Sequence, residues 1–251
     1  MNPIKGLLID IDGVLIEDGH ALDKAVDKLN ELKSNYSIRL LTNTTTKRVK
    51  EIHQMLTRLG FDIHQNEIVT APVAAQILLK HSGYTRIYPV VSTNILPEFE
   101  GFTFDEKEPQ AIVVGDIGRR WDYDLLNQIF KPLMSGAELI ALHKGKFWKS
   151  EGALQLDIGA FVAGLEYATG KAATVIGKPS RSFFDAALKS MGLPKNEVLM
   201  IGDDIDGDIG GAQHAGIKAC LVKTGKYNEQ FVAQSELKPD QVIATFAALS
   251  L

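Results

Sequence analysis

Four short apolar runs, each stopping abruptly on polar residues, constrain this chain more than any other feature. "LLI" runs into Asp10, "RLL" into Thr42 and Asn43, "TVI" into Gly177 and Lys178, and "LMI" into Gly202 and Asp203. Helical patterns alternate with them, which predicts an α/β fold with a largely parallel sheet. Expected strands are Ile4–Ile11, Ser37–Leu41, Ala173–Ile176, Val198–Ile201 and Lys218–Val222. Expected helices are Asp23–Leu32, Thr45–Leu59 closed by Gly60, Ser182–Met191 closed by Gly192, and a short Ile209–Ala215 closed by Gly216. In a parallel sheet the carboxyl ends of the strands share one edge, and ligands bind in the crevice outside it. Segments spread over much of the chain therefore converge on one site.

The spacing of these runs predicts an insertion. Asp10 and Thr42 lie 32 residues apart, enough for a turn, a helix and a strand. Thr42 and Lys178 lie 136 residues apart, far more than one crossover needs. The excess carries its own strands (Ile87–Val91, Ala111–Val114, Glu138–Leu142) and helices (Trp121–Leu133, Ala160–Thr169). It reads as a second α/β domain over residues 72–175, inside a Rossmann-like core of residues 1–71 and 176–251. The stretch Pro97–Pro109 reads as the longest surface loop of the insert.

The converged edge would gather Asp10, Asp12 and Asp203, with Asp204, Asp206 and Asp208 close by and Lys178 among them. So many carboxylates repel one another unless a cation intervenes. Oxygen ligands without His or Cys select Mg²⁺ rather than zinc, and Mg²⁺ binds through about one or two carboxylates plus substrate phosphate oxygens. Lys178 adds a second positive point, and Thr42 and Asn43 offer a hydroxyl and backbone N–H donors to phosphate. The sum is a phosphoryl-transfer site with an aspartate as nucleophile.

The ordered motifs "DIDGV", "LLTN", "GKP" and "IGDDIDGDIGGA" resemble the four signatures of the haloacid dehalogenase-like (HAD) hydrolase superfamily. The resemblance spans the chain. An insert between the second and third motifs is similar to the C2-capped, NagD-like branch. "TNTTTKR", "VIGKP", "GDDIDGDIGGAQ" and "VKTGKY" look closest to the group containing phospholysine phosphohistidine inorganic pyrophosphate phosphatase. The resemblance implies that Asp10 attacks phosphorus and forms an aspartyl-phosphate. It implies that Asp12 protonates the leaving oxygen and then activates water. Mg²⁺ would sit on the carboxylates of Asp10 and Asp203 and on the carbonyl of Asp12. Asp208 would hold that geometry from behind, with Asp204 a second candidate for such support. Thr42, Asn43 and Lys178 would hold the phosphoryl group. Dehalogenases of the superfamily lack the second Asp and P-type ATPases carry Thr there, so Asp12 favours a phosphatase.

Two alternatives stay open at this point. One is a phosphomutase acting on a sugar phosphate, although superfamily mutases usually place their cap between the first two motifs. The other is a non-catalytic module binding a divalent metal. "DDIDGDIGG" fails the EF-hand pattern, because its Gly is misplaced and the closing Glu is missing.

Within the insert, "ALHKGKFWKSEG" offers His143, Lys144, Lys146 and Trp148 as candidates to select the leaving group; the competing reading is a hairpin with solvated lysines. A cap that covers the site implies a small phosphorylated metabolite or pyrophosphate as substrate, and relatives pairing through the cap make a homodimer possible. The net charge of -4 gives no basic footprint for nucleic acid or anionic lipid. Cys220 is the only cysteine, which excludes an internal disulfide and a Cys-based zinc cluster. No signal peptide and no membrane span are expected, and a cytoplasmic address is.

Overall fold

A computed structural model describes residues 3–145, 147–150 and 153–251. In chain order, β1 (Gly6–Asp10) leads into a small hairpin of β2 (Ile16–Glu17) and β3 (His20–Ala21), then α1 (Ala25–Lys33), β4 (Ser37–Thr42), α2 (Val49–Arg58) and β5 (Ile68–Thr70). Next come α3 (Ala71–His81), β6 (Arg86–Val90), β7 (Thr103–Phe104), β8 (Ala111–Val114), α4 (Tyr123–Met134) and β9 (Glu138–Ala141). The hairpin β10 (Phe147–Ser150) and β11 (Ala153–Leu156), α5 (Gly159–Thr169) and β12 (Thr174–Val175) follow. The chain closes with α6 (Arg181–Met191), β13 (Val198–Gly202), α7 (Gly211–His214), β14 (Lys218–Val222), α8 (Glu229–Gln234) and β15 (Gln241–Ile243).

Two compact units result. The first takes the chain up to Thr42, Val49–Thr70 and Lys178–Leu251; the second takes Asn43–Arg48 and Ala71–Gly177. The sheet of the first unit has the order β15-β14-β13-β1-β4-β5, and every pairing in it is parallel. All five residues of β1 are buried, as a central strand covered on both faces requires. Leu7 and Ile9 point to one face and join a cluster with Leu29, Ile38, Leu40, Ile52, Leu56 and Phe61. Each such side chain contributes about 1.5–3 kcal/mol by leaving water.

The second unit holds a parallel sheet of order β12-β9-β8-β6-β7. Ile112, Val114, Ile129, Leu133, Val162 and Leu165 pack together in its core. Asp122 starts α4 by accepting the Leu125 N–H at 2.8 Å, and Gly170 ends α5 in the left-handed region at φ 69°. Trp121 stacks on Phe161 with centroids 4.7 Å apart, so it is a packing residue. β10 lies within the segment that the hairpin reading covered, and its antiparallel partner β11 lies just beyond it.

Four expectations need correction. The sequence places the run Ala173–Ile176 at the core edge, but Thr174 and Val175 pair with Ile140 and Ala141 of β9 in the second sheet. A short apolar run fixes that a strand forms, not which sheet takes it. The core sheet has β5 beside β4 as its edge strand. The helix expected from Thr45 begins only at Val49, after a Thr- and Asn-rich stretch whose side chains compete for the backbone. The stretch Pro97–Pro109 is no continuous loop: a 3₁₀ turn covers Thr93–Phe99, and Thr103–Phe104 pairs with β6. The helix expected at Ile209–Ala215 starts earlier, as a wide π-type turn over Ile205–Gly210 that leads into α7.

No helix among the described residues is long and apolar enough to cross a membrane. Cys220 is buried in β14, and that burial pushes its thiol up to about 11, so it packs as an inert apolar group. Leu29→Ala, truncating a fully buried α1 side chain of the same core cluster as Leu7 and Ile9, should cost about 2–5 kcal/mol of stability. Chemical denaturation followed by circular dichroism would measure it. A loss below about 1 kcal/mol would mean that this face is not a packed core.

Candidate active site

The strand order accounts for the site. With β1 between β13 and β4, the residues that follow these strands emerge side by side at one edge of the first unit. Asp10 is the last residue of β1 and is 6% exposed. The chain then turns: Ile11 N–H donates to Leu41 O at 3.1 Å, and Gly13, at φ 85°, donates to Ile16 O at 2.7 Å. Asp12 sits in this turn and is exposed, and the Thr42 hydroxyl donates to its Oδ2 at 3.4 Å. The two carboxylates thus meet different surroundings, one buried and one solvated.

Lys178 lies between two of the acids. Its Nζ stands 2.5 Å from Asp10 Oδ1 and 2.6 Å from Asp208 Oδ1, and its side chain is 7% exposed. Burial alone would lower the ammonium pKa, but the two carboxylates outweigh it and hold the group charged far above its ordinary range. Asp208 is fully buried, and its Oδ2 accepts the N–H groups of Asp203 at 3.1 Å and Asp204 at 3.2 Å. Gly202 makes room for it: a Cβ there would lie 2.2 Å from the Asp208 Cβ.

Carboxylate oxygens of Asp10, Asp203 and Asp208 all fall within 4.8 Å of one another. Burial, then the charge of Asp208, raises the Asp10 pKa well above the ordinary carboxylate range. Burial also raises Asp203, to about 6, although the Lys226 N–H opposes the shift. Asp203 Oδ2 accepts that N–H at 2.7 Å, whereas Oδ1 is buried and has no hydrogen-bond partner. An orphaned buried oxygen of Asp203 beside the Asp10 carboxylate, with the Asp208 charge next to both, suits a hard divalent cation. The residues present fit such an ion.

The remaining expected residues divide. Asp204 caps the turn after β13: its Oδ1 accepts from Asp206 N at 3.0 Å and Gly207 N at 2.9 Å. Despite its burial, the Gly207 N–H and the Lys226 ammonium hold Asp204 below the ordinary carboxylate range. Asp206 is exposed. Asn43 directly follows β4 and groups with the second unit, where a Cβ on Gly177 would come within 2.8 Å of its Oδ1. In that unit His143 Nδ1 lies 3.6 Å from Asp157 Oδ2, and burial lowers the His143 pKa. Lys144 pairs with Glu166 at 2.5 Å. Lys146 lies outside the described residues, and Trp148 is known here by its place in β10, opposite Gln155.

Three residues of the site escaped the sequence reading. Thr224, Gly225 and Lys226 follow β14 and reach the Asp12–Gly13 turn and Asp203; Thr224 Oγ1 donates to Gly13 O at 2.5 Å. The available signal was "VKTGKY", a fifth apolar strand turning polar at its carboxyl end.

Comparison with known proteins places the chain in a family. The profile described as "Haloacid dehalogenase-like hydrolase" matches residues 7–105, and a HAD-hydrolase-like profile matches residues 175–249. Human haloacid dehalogenase-like hydrolase domain-containing protein 2 is 40% identical over 225 residues, covering 89% of this chain and 86% of its own. Human phospholysine phosphohistidine inorganic pyrophosphate phosphatase is 38% identical over 252 residues, covering 97% and 92%. Among solved structures, p-nitrophenyl phosphatase from Archaeoglobus fulgidus superposes with a TM-score of 0.91 at 25% identity, covering 98% of each chain. NagD from E. coli K-12 gives 0.90 at 25% identity, covering 99% of each. The chain belongs to the haloacid dehalogenase-like hydrolase family, with a NagD-like fold, and is a phosphohydrolase by class.

The raised pKa values give a pH test. Asp203 and Asp10 hold protons more tightly when folded than when unfolded, so their contribution to stability is lost as pH rises, for Asp203 through about 6. A divalent cation competes with those protons and restores what is lost. The gain in Tm from a fixed concentration of divalent cation should therefore be larger at about pH 7 than at about pH 5. Equal gains at both would contradict the carboxylate crowding.

Proposed function

We propose that this protein is a Mg²⁺-dependent phosphatase that hydrolyses a small phosphorylated metabolite, or pyrophosphate, through a phosphoryl group carried on Asp10. The observation that carries the proposal is the Asp10 carboxylate, held at the strand end by a buried lysine 2.5 Å away and grouped with the orphaned oxygen of Asp203.

Asp10, fixed through Oδ1, attacks phosphorus, and the bond to the leaving oxygen breaks. Asp12, exposed and touched by the Thr42 hydroxyl, delivers a proton to that oxygen. It then takes a proton from the water that hydrolyses the acyl phosphate, which returns Asp10 as a carboxylate and releases phosphate. Lys178, which stays charged through its two carboxylate partners, offsets the repulsion between Asp10 and an anionic substrate. Thr42 and Asn43 are proposed to steady the phosphoryl oxygens. The carboxylates of Asp10 and Asp203 and the carbonyl of Asp12 would hold Mg²⁺, which when bound neutralises the acids and polarises the phosphoryl group. Asp208, with both oxygens occupied by Lys178 and two backbone N–H groups, is a support and not a ligand in this scheme.

The proposal extends to the second unit as a C2-type cap, with His143, Lys144, Lys146 and Trp148 as residues that meet the leaving group. It also extends to a cytoplasmic address, which suits a chain whose only cysteine is a buried thiol.

Hydrolysis of p-nitrophenyl phosphate should require Mg²⁺ and stop with EDTA. Asp10→Asn should lower kcat at least about 10³-fold while the protein stays folded; retained turnover would remove Asp10 as nucleophile. Asp12→Asn should cost about 10²–10⁴-fold with an alkyl phosphate, whose leaving oxygen needs a proton, and far less with an aryl phosphate. Equal losses with both substrates would remove Asp12 as the acid.

A further inference from the structure

Two glycines meet at the carboxylate of Asp203. A Cβ on Gly13 would lie 2.0 Å from Asp203 Oδ2 and 2.9 Å from Gly225 Cα. A Cβ on Gly225 would lie 2.1 Å from the same oxygen and 2.5 Å from Gly13 Cα. Both residues also have left-handed backbone, at φ 85° and 59°. No side chain fits at either place, so the turn after β1 and the turn after β14 touch backbone to backbone across one carboxylate.

Hydrogen bonds lock this contact. Thr224 Oγ1 donates to Gly13 O at 2.5 Å, and Lys226 N–H donates to Asp203 Oδ2 at 2.7 Å. The terminal torsion of an aspartate is soft, so nothing within the side chain decides which oxygen it presents. Here the decision comes from outside: Oδ2 is committed to the Lys226 N–H, and Oδ1 is left buried without a partner. The Lys226 ammonium lies 3.3 Å from Asp204 Oδ2, but it is 73% exposed and adds little to the lock.

We propose that Thr224, Gly225 and Lys226 form a positioning clamp that turns the Asp203 carboxylate so that Oδ1 faces a divalent cation, and that Thr224 is its side-chain anchor. The inference rests on the metal-dependent reading above and deepens it. None of the three residues touches the reacting atoms. They act through Asp203 and through the backbone of Gly13, the neighbour of Asp12. Their effect should appear in metal affinity first and in turnover at saturating metal much less.

The test compares wild type with Thr224→Val, which keeps the shape and loses the donor, and with Thr224→Ser, which keeps the donor. Isothermal titration with Mg²⁺ measures binding without any substrate. Thr224→Val should weaken Mg²⁺ binding about tenfold, as loss of a group supporting a ligand does, and Thr224→Ser should restore most of it. Metal-free Tm, measured in EDTA, reports the fold separately. A Thr224→Val protein with lower Tm but unchanged Mg²⁺ affinity would make the segment structural only and overturn the clamp. If Thr224→Val does not fold, Thr224→Ala against Thr224→Ser gives the same comparison. Wild-type protein that binds no divalent cation would instead defeat the metal reading itself, and the clamp with it.

Discussion

Three carboxylates around one buried ammonium are the constraint on which the rest of the site depends. Lys178 pairs with Asp10 and Asp208, while Asp203 stands in the same cluster with one oxygen unpartnered. Removing a charge from water is costly and is repaid only by close pairing. One ammonium cannot balance three carboxylates, and the excess shows in the raised pKa values of Asp10 and Asp203. The carboxylates are therefore crowded electrostatically at the place where a divalent cation would relieve them.

The topology brings these groups together from distant parts of the chain. Lys178 and Asp10 are separated by 168 residues, and the whole second unit lies between them in sequence. Lys178 is the first residue of the first unit after that excursion. Parallel pairing of β1 with both β4 and β13 sets every strand to end at the same edge, so polar residues placed just after the apolar runs become neighbours. The helices on both faces exist to bury the strands; the chemistry sits where burial stops.

Much of this was legible from the sequence because abrupt apolar-to-polar ends mark that edge. Asp10, Asp203 and Asp208 cluster and Lys178 joins them, as four motifs in order imply. Three things were not legible, each for a physical reason. Sheet membership of Thr174–Val175 depends on pairing with β9, a long-range choice that a short apolar run does not encode. The early start of the turn at Ile205 depends on Asp204 accepting two N–H groups, a local competition that periodicity does not see. The role of Thr224 depends on a contact with Gly13, 211 residues away, and a Thr-Gly pair after a strand reads locally as an ordinary turn.

Chemically identical side chains acquire different duties here through their hydrogen bonds. Asp208 has both oxygens engaged, one by Lys178 and one by two backbone N–H groups, so it is fixed and has little left to offer a ligand. Asp203 has one oxygen engaged and one free of protein donors, so it is fixed and can still bind. Asp10 is held through Oδ1 by a lysine that also neutralises it, and Asp12 is solvated and met by a hydroxyl at 3.4 Å. The supply of backbone N–H donors falls from two at Asp208 to one at Asp203, while Asp10 is held by an ammonium instead, and in the proposed reaction the demand for reactivity rises in the same order. A nucleophile surrounded by as many N–H groups as Asp208 would be too well stabilised as a carboxylate to attack. The arrangement of backbone donors at the strand ends, more than the identity of the side chains, divides support, metal binding and attack among the acids.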